Sequence, residues 1–219
     1  MKPEEALSKG AEALGLRLTD RMSEALLIYM AELIRWNKKT NLTSIEKPED
    51  IVVGHFLDSL AFLKAFTLKD GKGGKVADIG TGAGFPGIPL KIYLGSTTLT
   101  LIESSSKKAS FLHHIIGLLG LDDVMIVNNR IEELDPLSDP SIMSDIVVAR
   151  AFAKLDRLVK SSLPILRPGG RIIAGKGWDI DNEISRLLAL DLPISIKAIF
   201  RFRLPLSTLK RSLIVIEGK

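Results

Sequence analysis

The densest chemistry in this 219-residue chain is the run KVADIGTGAGFPGIPL, residues 75–90. A β-rich stretch ends in an acid, Asp78, and Gly80, Gly82, Gly84 and Gly87 follow before a helical pattern begins. Such glycines let the backbone turn sharply and approach a ligand with no Cβ in the way. Two ligands fit the spacing. Gly82-Ala83-Gly84-Phe85-Pro86-Gly87 matches the dinucleotide fingerprint G-x-G-x-x-G, with Glu103 placed 21 residues on as a ribose-binding acid. The earlier frame, Asp78-x-Gly80-x-Gly82-x-Gly84, fits a methyl donor instead. A carboxylate at Asp78 suits the ammonium of S-adenosylmethionine and is badly placed beside a pyrophosphate. Pro86 also removes an amide N–H that a pyrophosphate would need at the helix start. The methyl donor is favoured, and an NAD-type oxidoreductase is the alternative. Phe85, inside the loop, is grouped with the cofactor-binding residues.

Other positions extend the site. The Glu103 carboxylate can accept hydrogen bonds from both ribose hydroxyls of an adenosine, or be an ordinary surface acid. In Asn128-Asn129-Arg130-Ile131-Glu132-Glu133, Ile131 can pack on an adenine ring and Glu132 can meet its edge. The same residues can equally be a plain loop into a short helix. Arg150 and Lys176 each follow a β-rich run, which puts a guanidinium and an ammonium beside the reaction site.

These residues converge only if the elements bring them to one edge. The first 70 residues read as helical: Thr19-Asp20 caps a helix to about Trp36, with Leu26, Met30, Leu33 and Ile34 at spacings of three and four. Pro48 opens a second helix, with Ile51, Val52, Phe56, Leu60 and Leu63 on one side. Lys69-Asp70-Gly71-Lys72-Gly73-Gly74 reads as a linker between a helical extension, 1–70, packed on the core, and a catalytic domain, 71–219. Strands are expected at Lys75–Ile79, Thr98–Ile102, Val124–Asn128, Asp145–Ala149 and Arg171–Gly175, with helices at 86–94, 106–119 and 153–166 between them. That alternation implies a mostly parallel sheet covered on both faces. Ile194–Arg203 and Ser212–Glu217 lie too close for a crossover helix and should form an antiparallel hairpin at a sheet edge. Five parallel strands plus a hairpin resembles the Rossmann-like α/β fold of class I S-adenosylmethionine-dependent methyltransferases.

A closer resemblance rests on longer blocks: WNKKTNLT (36–43) with HFLDSL (55–60), DIGTGAGFPGIPL (78–90), SDIVVARAFA (144–153) and AGKG (174–177). LIESSSKKASFL (101–112) and NNRIEEL (128–134) fit between them. Together they resemble the bacterial small-subunit ribosomal RNA guanine-N7 methyltransferases, also called glucose-inhibited division protein B. The likeness covers nearly the whole chain and departs mainly in the tail, LPLSTLKRSLIVIEGK. It implies S-adenosylmethionine as methyl donor, bound by Asp78, Gly80, Gly82, Phe85, Glu103, Ile131, Glu132 and Arg150. Its substrate would be small-subunit RNA or the 30S particle. Arg150 and Lys176 would then position donor or guanine, while Asn37, Asn41, His55 and Asp58 shape the N-terminal wall. His55 and Asp58 also read as an i, i+3 pair buttressing the fold, and Asn37 and Asn41 as a helix C-cap and turn.

Composition agrees. With no cysteine there is no thiol nucleophile, thiolate zinc site or disulfide, and no metal site is expected. Guanine N7 carries an in-plane lone pair and no proton, so it needs neither thiol nor general base. The net charge of +4 divides into −4 over residues 1–149 and +8 over residues 150–219. A polyanion partner for the final third would meet Arg201, Arg203, Arg211, Lys154, Arg157, Lys160, Arg167 and Lys210; a merely solvated basic face is the plainer reading. MKPEEALSKGAEALGL is polar and acidic, so a cytoplasmic monomer away from membranes is expected. A ribosome assembly factor that keeps the fold without catalysis is the alternative from another class.

Overall fold

The computed structural model describes residues 1–67 and 73–219. Of the expected linker at residues 69–74, residues 69–72, and with them the boundary at residue 70, lie outside the described residues. Seven strands form one sheet: β1 (Lys75–Ile79), β2 (Thr98–Ile102), β3 (Val124–Val127), β4 (Ser144–Arg150), β5 (Leu166–Lys176), β6 (Ile194–Arg203) and β7 (Lys210–Gly218). Their order is β3-β2-β1-β4-β5-β7-β6. β1 to β5 run parallel, and the β6–β7 hairpin adds antiparallel through β7. The strand order reverses between β1 and β4. Open α/β sheets bind ligands in the crevice at such a switch point, outside the strand C-terminal ends.

Alternation along the strands sends side chains to two separate cores. Val76, Leu101, Val148 and Ile173 face one, and Ala77, Ile79, Val147 and Ile172 face the other. The second core is closed by α7 (Leu155–Ser162) and α8 (Asp181–Leu188), through Leu158 and Leu187. The first is closed by α5 (Gly87–Leu94), α6 (Ser106–Leu119) and the N-terminal helices α1 (Pro3–Ala13) and α2 (Asp20–Thr40). Leu26, Tyr29 and Leu33 of α2 are fully buried there, so the N-terminal helices and the sheet share one core.

Local chemistry sets the helix ends. The Thr19 hydroxyl caps α2 by accepting from the Met22 amide at 3.3 Å. The helix runs to Thr40, four residues past the expected end, and stops at Asn41, whose φ of 48° is left-handed. The helix begun at Pro48 is not uniform. A single α-turn, α3 (Pro48–Ile51), leads into a π-helical stretch, Val52–Leu57, and then into α4 (Asp58–Leu60). π-turns loosen the i→i−4 ladder and leave carbonyls for other partners.

Candidate active site

The loop after β1 and the loop after β4 flank the switch point, so Gly80 and Arg150 arrive side by side. Gly80, Gly82 and Gly84 all hold positive φ. A Cβ on Gly84 would strike Ile88 and the Tyr29 hydroxyl, both at 2.5 Å. Tyr29 donates its hydroxyl hydrogen to the Ala83 carbonyl and stacks on Phe85 at 5.2 Å, so α2 holds the loop in shape. Asp78 lies beneath it, fully buried. Its Oδ2 accepts from the Thr81 hydroxyl at 2.5 Å and the Gly87 amide at 2.7 Å, while Oδ1 is buried with no partner among the described residues. Burial pushes the Asp78 carboxyl up to about 7, with nearby Glu103 adding to the rise, against the two hydrogen bonds and the charge of Arg150.

The helix start is closed to a pyrophosphate. The Gly87 amide is taken by Asp78, the Ile88 amide donates to Gly84 at 2.8 Å, and Pro86 has none. That geometry removes the dinucleotide reading of the glycines.

Glu103 directly follows β2 and is buried. Its Oε2 accepts the Gly82 amide at 2.9 Å and its Oε1 the Ser105 amide at 2.8 Å. Each oxygen keeps a second lone pair for a hydroxyl donor. Glu103 opens on a cavity of about 140 Å3 lined also by Gly80, Ile131, Glu132 and Phe152. Ile131 is buried there, and Glu132 is held by Arg157 at 3.0 Å. Phe152 was not legible in advance: its ring lies where a Cβ on Gly80 would be, 2.4 Å away.

A second cavity, about 330 Å3, is lined by Arg150 and Ala151 together with His55, Asp58, Lys176 and Arg211. Arg150 organises its wall. It donates to the Gly54 carbonyl in the π-turn at 2.8 Å, to Asp58 at 3.3 Å and to Nδ1 of His55 at 2.8 Å. Arg211 of β7 reaches the same Asp58 at 3.0 Å. A guanidinium only donates, so His55 Nδ1 accepts and Nε2 carries the proton, directed at the Thr43 hydroxyl 2.7 Å away. Burial first, and then the Arg150 charge, pull the His55 pKa down to about 3. The ring is therefore neutral, stacked on Phe85 at 4.4 Å and 7°, and neither nitrogen is free to act as a base. Lys176 donates to the Ala153 carbonyl and to Glu183 at 2.8 Å. Glu183 in turn accepts the Leu155 amide at 2.7 Å, which ties the loop after β4 to α8.

Several expected residues stand elsewhere. Phe85 faces neither cavity; it is buried in the aromatic cluster with Tyr29, His55 and Phe56. Asn41 is the α2 C-cap. Asn37 spends its amide on the backbone of Thr43, one 2.9 Å bond in each direction, so it shapes the wall only through Thr43. Arg201 and Arg203 do not join Arg211: they sit opposite Ser212 and Lys210 in the hairpin, on the other side of the pleat. Arg201 is paired with Asp181. Arg167 is further off, held by Asp145 where β4 begins, at the wrong sheet edge for this site. Tyr29, Thr43, Thr81 and Glu183 are contributors that spacing did not reveal. Tyr29 falls on the apolar stripe of α2, which signals burial but not the use of its hydroxyl.

Residues 22–191 match the family model described as rRNA small subunit methyltransferase G. The ribosomal RNA small subunit methyltransferase G of Caldanaerobacter subterraneus is 41% identical over 214 residues, 97% of this chain and 89% of that protein. Its counterpart in Roseiflexus castenholzii is 46% identical over 176 residues, 80% of this chain and 74% of that protein. Among solved structures, a SAM-dependent methyltransferase from Aquifex aeolicus superposes with a TM-score of 0.58 at 14% identity, covering 80% of this chain and 96% of that one. TrmN from Thermus thermophilus gives 0.56 at 15%, covering 74% and 48%. The fold is thus the class I methyltransferase fold, and the matched length and identity make this chain a member of the rRNA small subunit methyltransferase G family.

Proposed function

We propose that the protein moves the methyl group of S-adenosylmethionine to N7 of a guanine in small-subunit ribosomal RNA, free or within the 30S particle, and acts as a cytoplasmic monomer. The observation that carries this reading is the presence of two cavities at the C-terminal ends of the strands, one lined by Gly80, Glu103 and Phe152 and the other by Arg150, Ala151 and Lys176. No helix among the described residues is long and apolar enough to cross a membrane.

The residues fit the donor. Asp78 Oδ1 is a buried carboxylate oxygen without a partner among the described residues, suited to an ammonium. Glu103 keeps lone pairs for ribose hydroxyls, and Ile131 offers an apolar wall to adenine. Bound S-adenosylmethionine supplies an electrophilic methyl on sulfur. One N–C bond forms, one S–C bond breaks, and no proton moves, so the neutral, fully engaged His55 is no obstacle. Positioning is the main source of rate, worth about 7–11 kcal/mol in principle. Arg150 holds the wall of the guanine cavity rigid through Gly54, His55 and Asp58. Lys176, its side chain only 12% exposed, is held by Glu183 and the Ala153 carbonyl and keeps the opposite wall of that cavity in place, with Glu183 offsetting its charge beside a ring that turns positive.

The test is labelled methyl transfer to small-subunit RNA from cells lacking the enzyme, followed by mapping of the modified atom. N7 of guanine is the expected product, with large losses in Arg150→Ala and Lys176→Ala. Methylation of a ring carbon or an exocyclic nitrogen, or near-normal transfer by both variants, would overturn the reading.

A further inference from the structure

Trp178 is one of two tryptophans in the chain and stands 43% exposed. It directly follows Lys176 and Gly177, both of which line the guanine cavity. Its carbonyl accepts from the hydroxyl of the fully buried Ser212 at 3.5 Å, which anchors its backbone to β7. A Cβ on Gly177 would meet nothing within 4 Å, so the rim beside the ring is open. Lys210 lies over the ring with Nζ 5.1 Å from its centroid. Arg203 is directly opposite Lys210 in the hairpin, on the same face, and exposed. An exposed aromatic face under a cation, beside a second cation, one residue along the chain from the cavity-lining Gly177, suits one chemistry: a chain of phosphates that also carries flat π-faces.

We propose that Trp178 is a stacking platform for a nucleotide flanking the target guanine, with Lys210 and Arg203 holding the adjoining phosphates. The inference rests on the RNA methyltransferase reading and adds to it a positioning residue on the RNA side. The stacked base is a neighbour rather than the target, because Trp178 is not among the residues that line the cavity, whereas Arg150 and Lys176 are. Base–aromatic stacking tolerates any base, so this contact fixes the register of the strand and not its sequence. Lys210 contributes a charge over the ring and a phosphate contact.

The experiment uses the full chain with Trp36→Phe, which leaves Trp178 as the sole tryptophan, and short single-stranded RNAs containing guanine. Quenching on binding is expected, and it should vanish when the flanking nucleotides are abasic. In methyl transfer, Trp178→Ala should raise KM for RNA roughly 5- to 150-fold with kcat and donor affinity unchanged. Trp178→Phe should restore most of the loss, which a merely structural role would not require. Lys210→Ala should weaken all RNAs alike and lower the salt slope by about one. Unquenched fluorescence with RNA bound, an unchanged KM in Trp178→Ala, or equal damage from Ala and Phe would overturn the proposal. If RNA quenches Trp178 but no methyl is transferred to guanine N7, the stacking stands and the proposed reaction falls.

Discussion

At the residue scale, two buried titratable groups oppose each other. Asp78 has its carboxyl raised from 3.8 to about 7, so the folded chain keeps a proton that the unfolded chain releases between those values. Without ligand, that contribution to stability falls as pH rises across the window. His55 has its pKa lowered from 6.5 to about 3, so the unfolded chain binds a proton that the folded chain refuses. The stability His55 contributes is complete above 6.5 and is lost as pH falls toward 3. Denaturation of the ligand-free protein as a function of pH should therefore show Asp78→Asn steepening the acid loss and His55→Asn flattening it. Donor binding should also respond. An ammonium beside Oδ1 favours the carboxylate, so calorimetric affinity for S-adenosylmethionine should rise as pH passes about 7, and Asp78→Asn should bind weakly with no such rise. At saturating donor and RNA, kcat should show no titration near the ordinary histidine value.

At the scale of elements, the C-terminal end of α2 distinguishes a wall from a cap. Asn41 holds a left-handed φ of 48°, a conformation that costs most non-glycine residues about 1–2 kcal/mol and Asn less. Asn41→Ala should lower stability by about 1 kcal/mol, or about 2–4 °C in Tm at this size, while Asn41→Gly should not. Methyl transfer should be unchanged in both; a fall in kcat/KM with stability intact would make Asn41 a substrate residue after all. The sequence showed Pro48 at a helix start and the apolar side that follows. It did not show the π-turn at Val52–Leu57, because the turn is fixed by what packs on it. The Gly54 carbonyl there accepts from Arg150, 96 residues away in the chain.

At the scale of the molecule, the basic side chains behind the net +8 of residues 150–219 are not all free to meet a polyanion. Arg157, Arg167, Lys176, Lys197, Arg201 and Arg211 all sit in ion pairs. Lys154, Arg203 and Lys210 remain near the active-site edge without an ion pair among the described residues. With three phosphate contacts to a single strand, log affinity should fall with log salt at a slope of about −2, measurable by RNA titration across salt concentrations. A slope near −6 would mean that the ion pairs open to RNA.

The strand pattern, the hairpin, the glycine loop and the absence of thiol chemistry were legible from the chain alone, because they depend on local periodicity and on residue type. Family-specific blocks such as DIGTGAGFPGIPL and SDIVVARAFA carried the activity with them. Partners were not legible, since pairing depends on which distant atoms meet. Only tertiary structure turned Phe85 into core, split Arg211 from Arg201 and Arg203 by the alternation of a pleat, and fixed the histidine tautomer through a guanidinium. It also left one oxygen of Asp78 buried without a partner among the described residues, because a sheet that closes two cores can strand a carboxylate where no spacing rule foresees it.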